Sequence, residues 1–108
     1  VMAGMETFYA AFVADELVGA LGLAQDADGA GACIESLVVS PAYQRHGAGR
    51  ALVEAVLAAH GHQELFVQTG AKNAAALALY ARCGFIEVER WLEGAEQLEL
   101  VRLRRAPS

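Results

Sequence analysis

The chain has 108 residues, 56% of them apolar and 19% charged, with a formal net charge of -5. That length suits one domain, residues 1–108, folding on a single core; the acidic balance excludes general attraction to nucleic acid or anionic lipid, so any phosphate must be held by a local arrangement. No uninterrupted apolar run reaches the roughly 18 to 20 residues of a membrane span, and Cys33 and Cys83, with no disulfide scaffold around them, fit free thiols in a reducing cytoplasm.

TFYAAFVA (Thr7 to Ala14) and LVGALGLA (Leu17 to Ala24) are strand-length runs separated by Asp15-Glu16, which reads as a hairpin. The glycine-containing QDADGAGA that follows is a loop. CIESLVV, from Cys33 to Val39, is a third strand in which Glu35 interrupts an apolar run, and Ser40-Pro41 ends it. Leu52, Val56 and Ala59 recur at helical spacing, as do Val53 and Leu57, so roughly residues 48 to 60 form a helix closed by Gly61. ELFVQT is a short strand. Asn73 is the N-cap of a second helix, NAAALALYARC, with Leu77 and Tyr80 on one face and Gly84 at its stop.

FIEVERWLE and QLELVRLRR complete the chain as two strands around Gly94. The last run changes phase: Leu98 and Leu100 share one face, Val101 and Leu103 the other, and a bulge or bend is expected there. The order β-β-β-α-β-α-β-β implies an α/β chain with a mixed sheet, in which the unit from Cys33 to Thr69 is a right-handed crossover between parallel strands.

Between the third strand and the first helix lies QRHGAGR, Gln44 to Arg50. Glycine there weakens a helix, but the start of a helix has backbone N–H groups without internal partners and a partial positive charge, which together make an anion site. Gly47 and Gly49 let a pyrophosphate approach the backbone, and Arg45 and Arg50 add charge. The segment lacks the G-K-[ST] ending of a P-loop, and Leu52 stands where the dinucleotide fingerprint needs a glycine. Taken alone, it reads first as a tight turn into a helix. His46 reads as a phosphate neighbour or an exposed residue, and His60 and His62 belong to the helix end. The three histidines and two cysteines show no metal-ligand spacing, so no metal is expected. Trp91 reads as packing or an interface.

VVSPAYQRHGAG in the middle and NAAALALYARCGF from Asn73 to Phe85, in that order, resemble the two signatures of the GNAT family of N-acetyltransferases. The resemblance runs from about Thr7 to the end. It implies a GNAT-like acyl-CoA N-acyltransferase fold and transfer of acetyl from acetyl-CoA directly to an amine of a small molecule or peptide. By the same resemblance, Arg45, His46, Gly47, Ala48, Gly49 and Arg50 hold the pyrophosphate, Leu37 and Val39 offer backbone groups to the acetyl carbonyl and pantetheine, and Asn73 contacts the pantetheine arm. Tyr80 then faces the thioester sulfur as the acid, and Glu35 falls where many members place a base. Tyr80 has a plainer reading as core and Glu35 as a solvated strand residue.

Family members open with a strand and two helices that help wall the acceptor site, whereas six residues precede Thr7 here; that wall is expected upstream of Val1 or is absent from a short member. The contrasting reading is a regulatory or degenerate module that binds coenzyme A without catalysis. The phase change in QLELVRLRR, with Trp91 on the preceding strand, suggests that the last two strands contact another subunit, and since paired sheets are frequent in the family a homodimer is expected.

Overall fold

The computed structural model describes residues 4–26, 31–43 and 47–108. Six strands form one sheet: β1 (Gly4–Val13), β2 (Glu16–Asp26), β3 (Gly31–Val39), β4 (Glu64–Gly70), β5 (Ile86–Glu93) and β6 (Leu98–Arg105), in the spatial order β1-β2-β3-β4-β6-β5. Two helices complete the order read from the sequence, α1 (Ala48–His60) after a 3-10 turn at Pro41–Tyr43, and α2 (Ala74–Arg82). The β1–β2 turn is made by Ala14 and Asp15, with Ala14 at a φ of 47°, one residue earlier than the Asp15-Glu16 expectation. Among the described residues no helix is long and apolar enough to cross a membrane.

β3 and β4 are parallel and joined through α1; all other neighbouring strands are antiparallel. Leu21 and Leu23 of β2, Ala32 and Ile34 of β3, Leu65 and Val67 of β4, and Val101 and Leu103 of β6 are buried in one cluster with Leu52, Val53 and Val56 of α1, Tyr80 of α2 and Phe85. Both helices therefore cover the same face of the sheet. The period of 3.6 read at Leu52, Val53 and Val56 is the stripe by which α1 meets that face. The opposite face carries Phe8 and Val38 exposed.

The phase change in QLELVRLRR is real, since Val101 and Leu103 are buried while Leu98 is exposed, but β6 itself is regular along β4. The irregularity falls in β5, where Val88 is skipped between Glu87↔Leu103 and Glu89↔Arg102. β6 is paired on both sides, so a bulge there would break two ladders. β5 is an edge strand and absorbs it in one.

At the far end of α1, His60 ties the hairpin to the helix. Its Nδ1 lies 3.0 Å from Gln25 Nε2 and 3.0 Å from Gln63 Oε1, and its Nε2 lies 3.0 Å from the Tyr9 hydroxyl. The polar helix-end histidine of the sequence is thus a structural latch between β1, β2 and α1.

Candidate active site

The β3–β4 ladder stops at Ile34↔Val67, although β3 continues to Val39 and β4 to Gly70. The cause is visible in the register with β2: Gly22 faces Ser36 while Leu23 faces Ile34, leaving Glu35 as an extra residue in β3. A bulge bends its strand and raises the local twist, so β3 swings away from β4 beyond Ile34. The parallel strands open like a V.

Two cavities occupy that opening. The smaller, about 180 Å³, is lined by Glu35, Ser36 and Leu37 on one arm, Val67, Gln68 and Thr69 on the other, and Asn73, Ala76 and Tyr80 from α2 and its start. The larger, about 530 Å³, continues from Leu37, Asn73 and Ala76 to Val39, Leu79 and Arg82 and reaches Gly47, Gly49 and Arg50 at the start of α1. Leu37, Asn73 and Ala76 line both, so the two cavities adjoin and together extend from the helix start to the bulge.

Gly47 is the residue before α1 and takes a φ of 81°, a conformation cheap only for glycine, with no side chain capping the helix. The first helical bond runs from Ala51 N–H to the Gly47 carbonyl at 2.9 Å. The N–H groups of the first turn precede any internal acceptor, and the end of α1 with its partial positive charge opens on the larger cavity. Gly49 differs from Gly47: a side chain there would meet Leu79 Cδ2 at 3.5 Å and Val39 Cγ2 at 3.6 Å, which is ordinary contact. Of the two expected arginines, Arg50 lines the cavity and donates from Nε to Glu54 at 3.0 Å in an exposed pair. Arg45 and His46 lie outside the described residues.

Asn73 is the N-cap of α2 as expected, its side-chain carbonyl accepting from Ala76 N–H at 3.2 Å. Capping commits that oxygen to the helix and leaves the amide nitrogen for the cavities it lines. Tyr80 is buried, with Phe85 edge-on to it at a ring-centroid distance of 5.4 Å, and its side chain also lines the small cavity. Burial pushes its phenol up to about 12, with smaller contributions from Cys83 and Cys33, and keeps it protonated at neutral pH. Glu35, exposed on the bulge, lines the same small cavity. Leu37 and Val39 stand on the splayed arm of β3 and line the larger cavity.

The sequence reading did not single out Arg82 or Gln68. Arg82 sits in the last turn of α2, where a basic residue is an ordinary helix end. Gln68 is one more polar residue on an alternating strand. Their place at the cavities follows from the V.

The model of the acetyltransferase (GNAT) family matches residues 3–85. The chain belongs to the GNAT family. A curated relative, the [ribosomal protein bS18]-alanine N-acetyltransferase of Escherichia coli strain K12, is 44% identical over 59 residues, which is 52% of this chain and 40% of the relative. This GNAT chain thus aligns with less than half the length of that enzyme. In solved structures, the fold is that of the ribosomal-protein-S18-alanine N-acetyltransferase from Escherichia coli, with a TM-score of 0.84, 24% identity, and coverage of 95% of this chain and 70% of that one. A spermidine N-acetyltransferase from Vibrio cholerae gives a TM-score of 0.83 at 22% identity, covering 95% and 66%. The NatC complex bound to a Gag peptide and CoA gives 0.77 at 24%, covering 91% and 66%.

Proposed function

We propose that this GNAT chain transfers acetyl from acetyl-CoA directly to an amine. The pair of adjoining cavities that extends from the uncapped, glycine-led start of α1 to the bulge at Glu35 and the protonated Tyr80 carries the reading. The helix start and Arg50 hold pyrophosphate, with Arg82 as a further cation on the cavity wall. Arg45 and His46 complete the set in the sequence motif. Leu37, Val39 and Asn73 line the stretch taken by the pantetheine arm, and the thioester brings the activated acetyl to the small cavity.

The amine attacks only when neutral, and Glu35 takes its proton directly or through a water. Carbon–nitrogen bond formation at the acetyl carbonyl expels the thiolate, and Tyr80 gives that sulfur a proton. Backbone groups of splayed β3, no longer paired with β4 beyond Ile34, supply hydrogen bonds to the carbonyl oxygen as charge develops on it. Named relatives act on a ribosomal protein alanine and on spermidine, which supports an amine of a peptide or small molecule as acceptor. The test is thiol release from acetyl-CoA across a panel of amines. Acceptor-dependent release supports the enzyme, and binding without release supports a module that only holds coenzyme A.

Residues 1–108 form one domain in this reading, supported by the single core cluster that joins β2, β3, β4 and β6 to both helices, with Tyr9 and Ala11 of β1 packed against it. A cytoplasmic location suits Cys33 and Cys83, neither of which is in a disulfide among the described residues. We also propose a homodimer through the β5 edge, where Ile86, Leu92 and, on β6, Leu98 are exposed. Light scattering at micromolar concentration should give twice the chain mass; a monomer overturns it.

A further inference from the structure

We propose that Arg102 selects the acceptor by binding a carboxylate on it, so that the favoured amines carry an acidic group a few bonds from the nitrogen. This rests on the acetyl-transfer reading above.

Val67 and Leu103 are register partners buried on the helix side, so their neighbours Gln68 and Arg102, also partners, face the other way. Gln68 lines the small cavity at the mouth of the V, opposite the Glu35 arm. Adjacent strands are about 4.8 Å apart, which puts the Arg102 backbone one strand beyond the mouth on the face free of helices. The guanidinium is not loose there. Its central carbon lies 4.4 Å from the centroid of the Phe66 ring, a cation-π stack that orders the side chain before any ligand arrives.

Its charge is also uncommitted. Arg50 pairs with Glu54, Arg90 with Glu87 and Glu99, and Arg104 with Glu64, but Arg102 forms no ion pair among the described residues, nor does its β5 register partner Glu89 reach it. A guanidinium held by one face presents its donors in a planar fork, the geometry that takes a carboxylate in two parallel hydrogen bonds. An acceptor with its amine between Glu35 and Gln68 and its carboxylate on Arg102 spans one to two strand spacings across the sheet, about 5 to 10 Å, and reaches toward the guanidinium over Phe66, two residues before Gln68 on β4.

Three amines of equal chain length test this: δ-aminovalerate, its primary amide, and cadaverine, whose far ends are anionic, neutral and cationic. The native chain should acetylate the acid with kcat/KM about 10-fold above the amide, the size of one charge-assisted hydrogen-bond pair, and cadaverine least. Arg102→Met and Arg102→Gln should bring the acid down to the amide, and Arg102→Glu should place cadaverine above the acid. Equal use of acid and amide by the native chain, or one common factor lost for all three amines, overturns the proposal. Separately, δ-aminovalerate should shift the Arg102 Nε–H signal in the nuclear magnetic resonance spectrum and cadaverine should not; an unmoved signal at saturating acid also overturns it. Calorimetry with acetyl-CoA alone tests the coenzyme reading: lack of binding removes that reading, while the Arg102 signal still decides the carboxylate.

Discussion

Ile34 and Leu37 face the same cavity although they are three positions apart in the chain, because Glu35 is the extra residue of a bulge between them. A regular strand would turn one of the two away. The same bulge ends pairing with β4 and sets the only carboxylate among the small cavity's lining residues at its mouth. Fold and chemistry at this point have one cause.

Glu35→Gln should therefore leave the fold intact, since the side chain is exposed and the bulge is a backbone feature. Acetylation should slow by about 10² to 10⁴-fold, the usual contribution of a positioned base, with the acidic limb of the pH profile of kcat/KM altered. An unaltered limb assigns the proton to solvent.

Gly49→Asp separates a phosphate cradle from a simple turn. Leu79 and Val39 leave ordinary room for a side chain at that position, so the variant should fold. Acetyl-CoA at 100 times its Kd should stabilise the native chain by about 2.7 kcal/mol, seen as a raised Tm, with ATP and NAD doing less. In Gly49→Asp the negative charge at the helix start should abolish the shift. A retained shift makes the loop a turn.

The elements were legible because their signals are local. Asn73 and Gly84 punctuate α2, and Leu52, Val53 and Val56 recur every turn of α1. The irregularities were not, because they depend on which strands become neighbours. Glu35 was visible as a break in an apolar run, but its bulge exists only in the register with β2. The bulge expected in QLELVRLRR moved to Val88 because β6 lies between β4 and β5, a fact of topology that no window of residues contains. Within the candidate site, the motifs pointed to Gly47, Gly49, Asn73 and Tyr80. Gln68, Arg82 and Arg102 carry no motif: the first two are known to line the cavities only from the folded chain, and the regular β4–β6 pairing sets the third beside Gln68.

Stability at alkaline pH reports the surroundings of Tyr80. Its phenol is pushed up to about 12 by burial, against an ordinary value of 10.0. Below pH 10 both folded and unfolded chains are protonated there and the burial costs no ionisation. Between 10 and 12 the unfolded chain ionises while the folded one does not, so stability falls as pH rises. Denaturant titrations at pH 8 and pH 11 should show the native chain losing about 1.4 kcal/mol more than Tyr80→Phe, in which the group is absent while the other tyrosines remain. Parallel losses in the two proteins contradict a buried phenol.

Single-turnover acetylation by Tyr80→Phe tests the proposed reaction most directly. The substitution keeps the ring against Phe85 and removes the proton, so Tm and the acetyl-CoA Kd should stay near native values. With a competent amine, the chemical step should slow by about 10² to 10⁴-fold, or roughly 3 to 5 kcal/mol of barrier, more than the loss of a hydroxyl from packing accounts for in a chain that still folds and binds. A native rate in a folded, acetyl-CoA-saturated Tyr80→Phe chain would contradict the assignment and return Tyr80 to the core.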